Sequence, residues 1–175
     1  MNGRDMKKHT ISILVENHFG VLARVSGLFS ARGYNIDSLC VGTTEDPAVS
    51  RMTVVVRGDD RVLEQIIKQL NKLADTIEVK DLTREDHVER ELVMVKVGVS
   101  GRKRGEAVEL ADIFRAKVID MGSDAMTIEA TGSEGKLAAF IDMLRPFGIR
   151  ELVRTGKIAI GRSPKRIEKG NEDDE

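Results

Sequence analysis

Two asparagines, Asn17 and Asn35, bracket a stretch that opens on Gly20, Val21 and Leu22 and then takes on helical spacing. A helix beginning at Gly20 leaves its first backbone N–H groups without intrahelical partners, and its dipole adds partial positive charge there. Such a helix start suits a small carboxylate or phosphate. The missing Cβ at Gly20 lets a ligand come close to the backbone. Asparagine carries both a donor and an acceptor, so Asn17 and Asn35 can meet the polar groups of that ligand. Taken locally, Asn17 reads more simply as a helix cap and Gly20 as a turn residue, and only the whole chain favours the ligand reading.

Other chemistry does not assemble. His9, His18 and His87 are isolated, no HxxxH or HExxH spacing occurs, and Cys40 has no second cysteine to join it. A metal site is therefore not expected. There is no GxSxG, Walker loop or GxGxxG, and Gly58-Asp59-Asp60 lacks the downstream asparagines of a thiamine-diphosphate-binding segment. Asp59/Asp60 and Glu85/Asp86 fall where helix capping and solvation account for them. Cys40 sits among alternating residues and reads as a small hydrophobe rather than a nucleophile. The Arg102-Lys103-Arg104 run could hold a phosphate but reads more readily as a solvated loop. Catalysis by this chain alone is not expected, nor is a cofactor within it.

Composition narrows the class further. Lys plus Arg number 28 against 29 Asp plus Glu, so no broad basic surface for nucleic acid is available. Hydrophobic residues make up 41% and aromatics only 3%, which calls for cores of Val, Ile, Leu and Met. A lone cysteine fits a reducing compartment, and no apolar run reaches membrane-spanning length. The expectation is a cytoplasmic protein with no membrane contact.

The elements that must position Asn17, Gly20 and Asn35 follow from periodicity. Thr10–Glu16 alternates as a strand, then Val21, Leu22, Val25, Leu28 and Phe29 recur at helical spacing until Gly33. Strands are predicted over 34–44 and 50–57, a helix from Asp59 and Asp60 through Leu73, and a strand over 77–82. This β-α-β-β-α-β order is the split unit of ferredoxin-like folds. The order recurs in the second half: a strand over 92–99, a helix over 106–116, strands over 117–121 and 125–131, a helix from Ser133 to Leu144, and strand-like pieces over 149–154 and 157–160. The reading is α+β, two ferredoxin-like domains over 8–83 and 91–162, a linker over 84–90, and a disordered polar tail over 163–175.

The first half resembles an ACT domain, the βαββαβ module that senses amino acids, through Glu16-Asn17-His18-Phe19-Gly20-Val21-Leu22-Ala23-Arg24-Val25 and Gly33-Tyr34-Asn35-Ile36. LFSARGYNIDSL (28–39), DPAVSRMT (46–53), VLEQIIKQLNKL (62–73) and HVERELVMVKV (87–97) resemble, more narrowly, the regulatory (small) subunit of acetolactate synthase. FRAKVIDMG (114–122) and the stretch ending FGIRELVRTG (131–156) extend the likeness through the second half, so that it covers roughly 9–161. Phe19 departs from the Pro or Ser common at that position.

The resemblance implies a non-catalytic subunit that activates a large catalytic partner and confers feedback inhibition by valine, isoleucine or leucine. Thiamine diphosphate, Mg and FAD would then belong to that partner alone. It also implies a homodimer through the ACT domains with the effector at the interface. The carboxylate would meet the N–H groups of Gly20, Val21 and Leu22. Asn17 and Asn35 would hold polar groups, Asn35 coming from across the dimer, while Val21 and Leu22 would line the aliphatic side. The alternative is a free-standing ACT-type sensor that regulates another enzyme or a transcriptional response.

Overall fold

The computed structural model describes residues 7–163. Residues 164–175, nearly the whole of the predicted polar tail, lie outside the described residues.

In strand β1 (Lys7–Glu16), Ile11, Ile13 and Val15 point to one face and are fully buried, as alternation requires. Helix α1 (Val21–Ser30) lays Val21, Val25, Leu28 and Phe29 onto that face. Strands β2 (Ile36–Thr43) and β3 (Val49–Gly58) follow, then helix α2 (Asp60–Leu70) and strand β4 (Thr76–Asp81). Asp59 starts α2 by accepting the Val62 N–H at 2.9 Å. The four strands form one antiparallel sheet in the order β2-β3-β1-β4. Both helices pack on its Ile/Val face, where Leu63, Ile66 and Leu70 of α2 complete the first core.

The second unit repeats this plan. Strand β5 (His87–Gly98), helix α3 (Arg102–Ile113), strands β6 (Lys117–Met121) and β7 (Ala125–Gly132), helix α4 (Glu134–Leu144) and strand β8 (Ile149–Arg154) give the sheet order β6-β7-β5-β8. Val93, Val95, Val97, Met126 and Ile128 meet Leu110, Leu137, Phe140 and Leu144 in its core. The chain is thus two ferredoxin-like βαββαβ units in tandem.

Two stretches differ from the sequence reading. Residues 87–90, expected in a linker, are the first part of β5. They pair with strand β9 (Ile158–Gly161), His87 opposite Gly161 and Arg90 opposite Ile158. The partner lies some 70 residues downstream, so local polarity conceals the pairing. The Arg102-Lys103-Arg104 run is the first turn of α3 rather than a loop. Arg and Lys are good helix formers, and the Arg104 guanidinium caps the β6–β7 turn by donating to the carbonyls of Gly122 and Ser123 at 3.0 and 2.7 Å.

The β5–β9 ribbon also closes over the sheet face of the first unit that points away from its helices. Thr10, Ser12 and Thr53 lie on that face and are nevertheless buried. Ala159, buried, donates its N–H to Thr53 Oγ1 at 3.4 Å. Beside this contact is an apolar cavity of about 340 Å³ lined by Cys40, Val41, Val88, Ile158 and Ile160. Cys40 is a partly buried wall residue there. Among the described residues, no helix is long and apolar enough to cross a membrane.

Candidate functional site

The β1–α1 corner is built by Gly20. It takes φ +88, a left-handed conformation open to glycine and disfavoured for L side chains, and stands as the cap residue of α1 without any side-chain cap. The helix therefore opens with bare donors. Val21 N–H reaches His18 O at 3.5 Å. The amides of Gly20, Leu22 and Ala23 meet no acceptor among the described residues, and the first turn carries no acidic residue. Unmatched donors at the positive end of a ten-residue helix make an anion-attracting corner.

Asn17 is not the helix cap. Its backbone N–H goes to Ala48 O at 2.7 Å and its side-chain nitrogen to Pro47 O at 2.8 Å, which ties the corner to the β2–β3 turn. No described residue donates to Asn17 Oδ1, and this exposed atom remains available beside the corner. The two hydrophobic residues behave differently. Leu22 is 46% exposed, whereas Val21 is 3% exposed and packs into the core, so Val21 lines no ligand-facing wall. Phe19 stands fully in solvent, 99% exposed.

Asn35 lies elsewhere within one chain. Ile36 is level with Val56 and His9 across the sheet, while Glu16 is level with Val49 at the opposite end. Seven strand residues at about 3.3 Å each separate the two levels by roughly 23 Å. A single chain does not bring Asn17 and Asn35 together. Asn35 donates to Asp37 Oδ1 at 3.0 Å, and Arg57 Nε donates to Asp37 Oδ2 at 2.5 Å. That guanidinium holds the Asp37 carboxyl below its ordinary range against the opposing effect of burial.

His18 is isolated in the sequence but not in the structure. His18 Nε2 lies 3.2 Å from Glu16 Oε2 and 3.0 Å from Asp75 Oδ1, and Arg24 Nε donates to Asp75 Oδ2 at 2.6 Å. The Arg24 hydrogen bond holds the Asp75 carboxyl below its usual range. The signal was absent from local spacing, because only the β1–β4 pairing, with Val15 opposite Thr76, delivers Asp75 to the corner. Glu16, His18 and Asp75 place ligand atoms within 4.8 Å of one another. Arg24 and the positive helix end already neutralise this group, which disfavours a cation between them. The cluster braces the corner against the α2–β4 turn and leaves the amides facing outward.

Comparison with known proteins identifies the family. Residues 11–78 match the family model "AHAS small subunit-like ACT domain", and residues 90–163 match "Small subunit of acetolactate synthase". A probable acetolactate synthase small subunit of Archaeoglobus fulgidus is 58% identical over 159 residues, which is 91% of this chain and 99% of that protein. The acetolactate synthase small subunit of Aquifex aeolicus is 49% identical over 168 residues, covering 95% and 88% of the two chains. The crystal structure of the small subunit from Thermotoga maritima superposes with a TM-score of 0.83 at 41% identity, over 90% of this chain and 99% of that one. With likeness of that extent running through both units, the chain belongs to the acetolactate synthase small-subunit family.

Proposed function

We propose that this chain is the regulatory, non-catalytic subunit of acetolactate synthase. In this reading it raises the activity of a large catalytic subunit, which carries the thiamine diphosphate, Mg and FAD, and it makes that activity sensitive to branched-chain amino acids. The observation that carries the reading is the uncapped corner at Gly20, set in a unit that matches the ACT domain of this family.

The carboxylate of valine, isoleucine or leucine accepts hydrogen bonds from the Gly20, Leu22 and Ala23 amides. Asn17 Oδ1 takes the ammonium group, and the exposed Leu22 side chain meets the aliphatic part. Asn35 completes the site from a second copy of the chain, which its distance from Asn17 within one chain favours. Hydrophobic fit ranks the three amino acids, and one methylene is worth about 1–3 kcal/mol.

Reconstitution with the catalytic subunit tests the reading. Addition of the chain raises acetolactate synthase activity, and valine or isoleucine then lowers it. Gly20→Asp sets a negative charge where the carboxylate binds, and Asn35→Ala removes a polar partner. Either variant is expected to keep the activation and to raise the inhibiting concentration by at least about tenfold, the equivalent of one charge-assisted hydrogen bond. Inhibition of both variants at the wild-type concentration rejects the site, and failure of the wild-type chain to activate rejects the role.

A further inference from the structure

Asn35 immediately precedes β2, and the first residues of that strand reach the second unit. The β2–β3 pairing shifts register between Ile36 and Ser38, so Asp37, the partner of Asn35, sits at a bulge. The next residue, Ser38, accepts the backbone N–H of Lys157 at 3.0 Å through its Oγ. Lys157 belongs to the turn between β8 and β9. Its neighbour Gly156 has φ +80, and a Cβ there would stand 2.6 Å from Ser38 Oγ. Only glycine permits so close an approach.

The turn is fixed on its own side. Arg154 makes two hydrogen bonds to Glu91 at 2.8 and 2.5 Å, and Thr155 N–H donates to Leu92 O at 3.0 Å. Lys157 Nζ lies 2.7 Å from Glu89 and 3.6 Å from Glu134, and Glu134 in turn pairs with Lys8 of β1. The turn therefore moves with β5 and α4 as one body. The bulge and the turn border one cavity of about 580 Å³, lined in part by Asn35, Asp37, Ser38, Arg57, Gly156 and Lys157, which leaves the bulge room to shift.

We propose that Ser38 and Gly156 form the contact through which ligand engagement at Asn35 is passed to the second unit. The proposal rests on the effector-site reading of Asn35. A ligand oxygen that takes the Asn35 amide competes with Asp37. Exchange of that partner relaxes the bulge, displaces Ser38, and pulls or releases the Lys157 N–H. The two arrangements make different hydrogen bonds, which a coupling free energy requires.

Hydrogen exchange on the full chain tests this, with calorimetry alongside and saturating L-valine or L-isoleucine as the probe. Without ligand, Ser38→Ala should speed exchange of the Lys157 amide about five- to tenfold through loss of one hydrogen bond. With ligand, the wild-type chain should change protection across residues 157–161. Ser38→Ala should bind the same amino acid within about twofold, lose that change, and raise the inhibiting concentration of the reconstituted enzyme at least about fivefold. Gly156→Ala, whose Cβ drives Ser38 away, should do the same. Unaltered Lys157 exchange in Ser38→Ala, or a ligand-induced change that persists there, overturns the coupling alone. Wild-type chain that binds neither amino acid overturns the effector reading from which it departs.

Discussion

Single residues in the first unit separate sharply by what surrounds their Cβ positions. Gly27 lies in the interior of α1 on an exposed turn, and a Cβ there meets nothing within 4 Å. Gly27→Ala should stabilise the chain by about 0.5–1 kcal/mol through helix propensity alone. Gly58 closes β3, and a Cβ there would stand 2.7 Å from Val62 Cγ1 and 2.9 Å from its Cβ. A β-branched neighbour has no rotamer through which to yield, so Gly58→Ala should cost about 1–3 kcal/mol. Chemical denaturation of both variants checks the two signs. Unchanged stability in Gly58→Ala would mean that α2 slides to make room. Both glycines look alike in sequence, as breaks in periodic stretches, and only the packing distinguishes them. The same holds for the site. Gly20 as the helix opener was legible from its place before an apolar periodic run. The inward turn of Val21 follows from its i, i+4, i+7, i+8 spacing with Val25, Leu28 and Phe29, whereas the bond from Asn17 to Pro47 depends on where the β2–β3 turn comes to lie, which residue type does not encode.

At the level of elements, charge pairs join what the sheets leave separate. Arg24 of α1 holds Asp75 at the end of the α2–β4 connection, and Arg57 of β3 holds Asp37 of β2. Both carboxyls have folded-state pKa values below their ordinary ones, the arginine hydrogen bond being the chief cause in each. Their contribution to stability is therefore complete above the unfolded carboxylate pKa of about 4 and is lost as pH falls through the lower folded values. Thermal unfolding followed from pH 6 to pH 2 should show a steep loss below about pH 4, and an Asp37→Asn, Asp75→Asn double variant should flatten that slope. A slope of equal steepness in the double variant would assign acid sensitivity to other pairs. Elements themselves were well marked in the sequence, since alternation and helical spacing identify β1, α1, β3, α2 and α4 directly. The exceptions have physical causes. The opening turn of α3 is Arg-Lys-Arg, polar enough to pass for a loop, and the first part of β5 is His-Val-Glu-Arg, whose strand state depends on β9.

For the molecule as a whole, the joint between the two units decides how they act together. Ala159 is 7% exposed, buried against the open face of the first sheet beside Thr53. Ala159→Arg should force that ribbon off the sheet while each core, built from separate clusters, remains folded. Its expected signature is greater hydrodynamic radius and protease sensitivity around residues 82–90, with far-ultraviolet circular dichroism preserved. Retention of the wild-type radius and cleavage pattern would show that the ribbon is not what holds the units together. The tandem repeat was legible from the recurrence of element order, but the closure of one unit over the other was not. It rests on β9, four residues long, whose partner strand is remote in sequence.

That remoteness governs how the protein is made. β9 begins at Ile158, and the first sheet is finished at Asp81, so about 80 residues must still leave the ribosome before the open face is covered. At synthesis rates of about 5–20 residues per second, the nascent first unit stands uncovered for roughly 4–16 s. What it shows in that interval is Thr10, Ser12 and Thr53 interspersed with Val55 and Cys40 rather than a continuous apolar sheet face, a surface poorly suited to sticking to another half-made chain. The Thr53 hydroxyl, which later receives the Ala159 amide of the second unit, thus also helps the first unit wait for it in water.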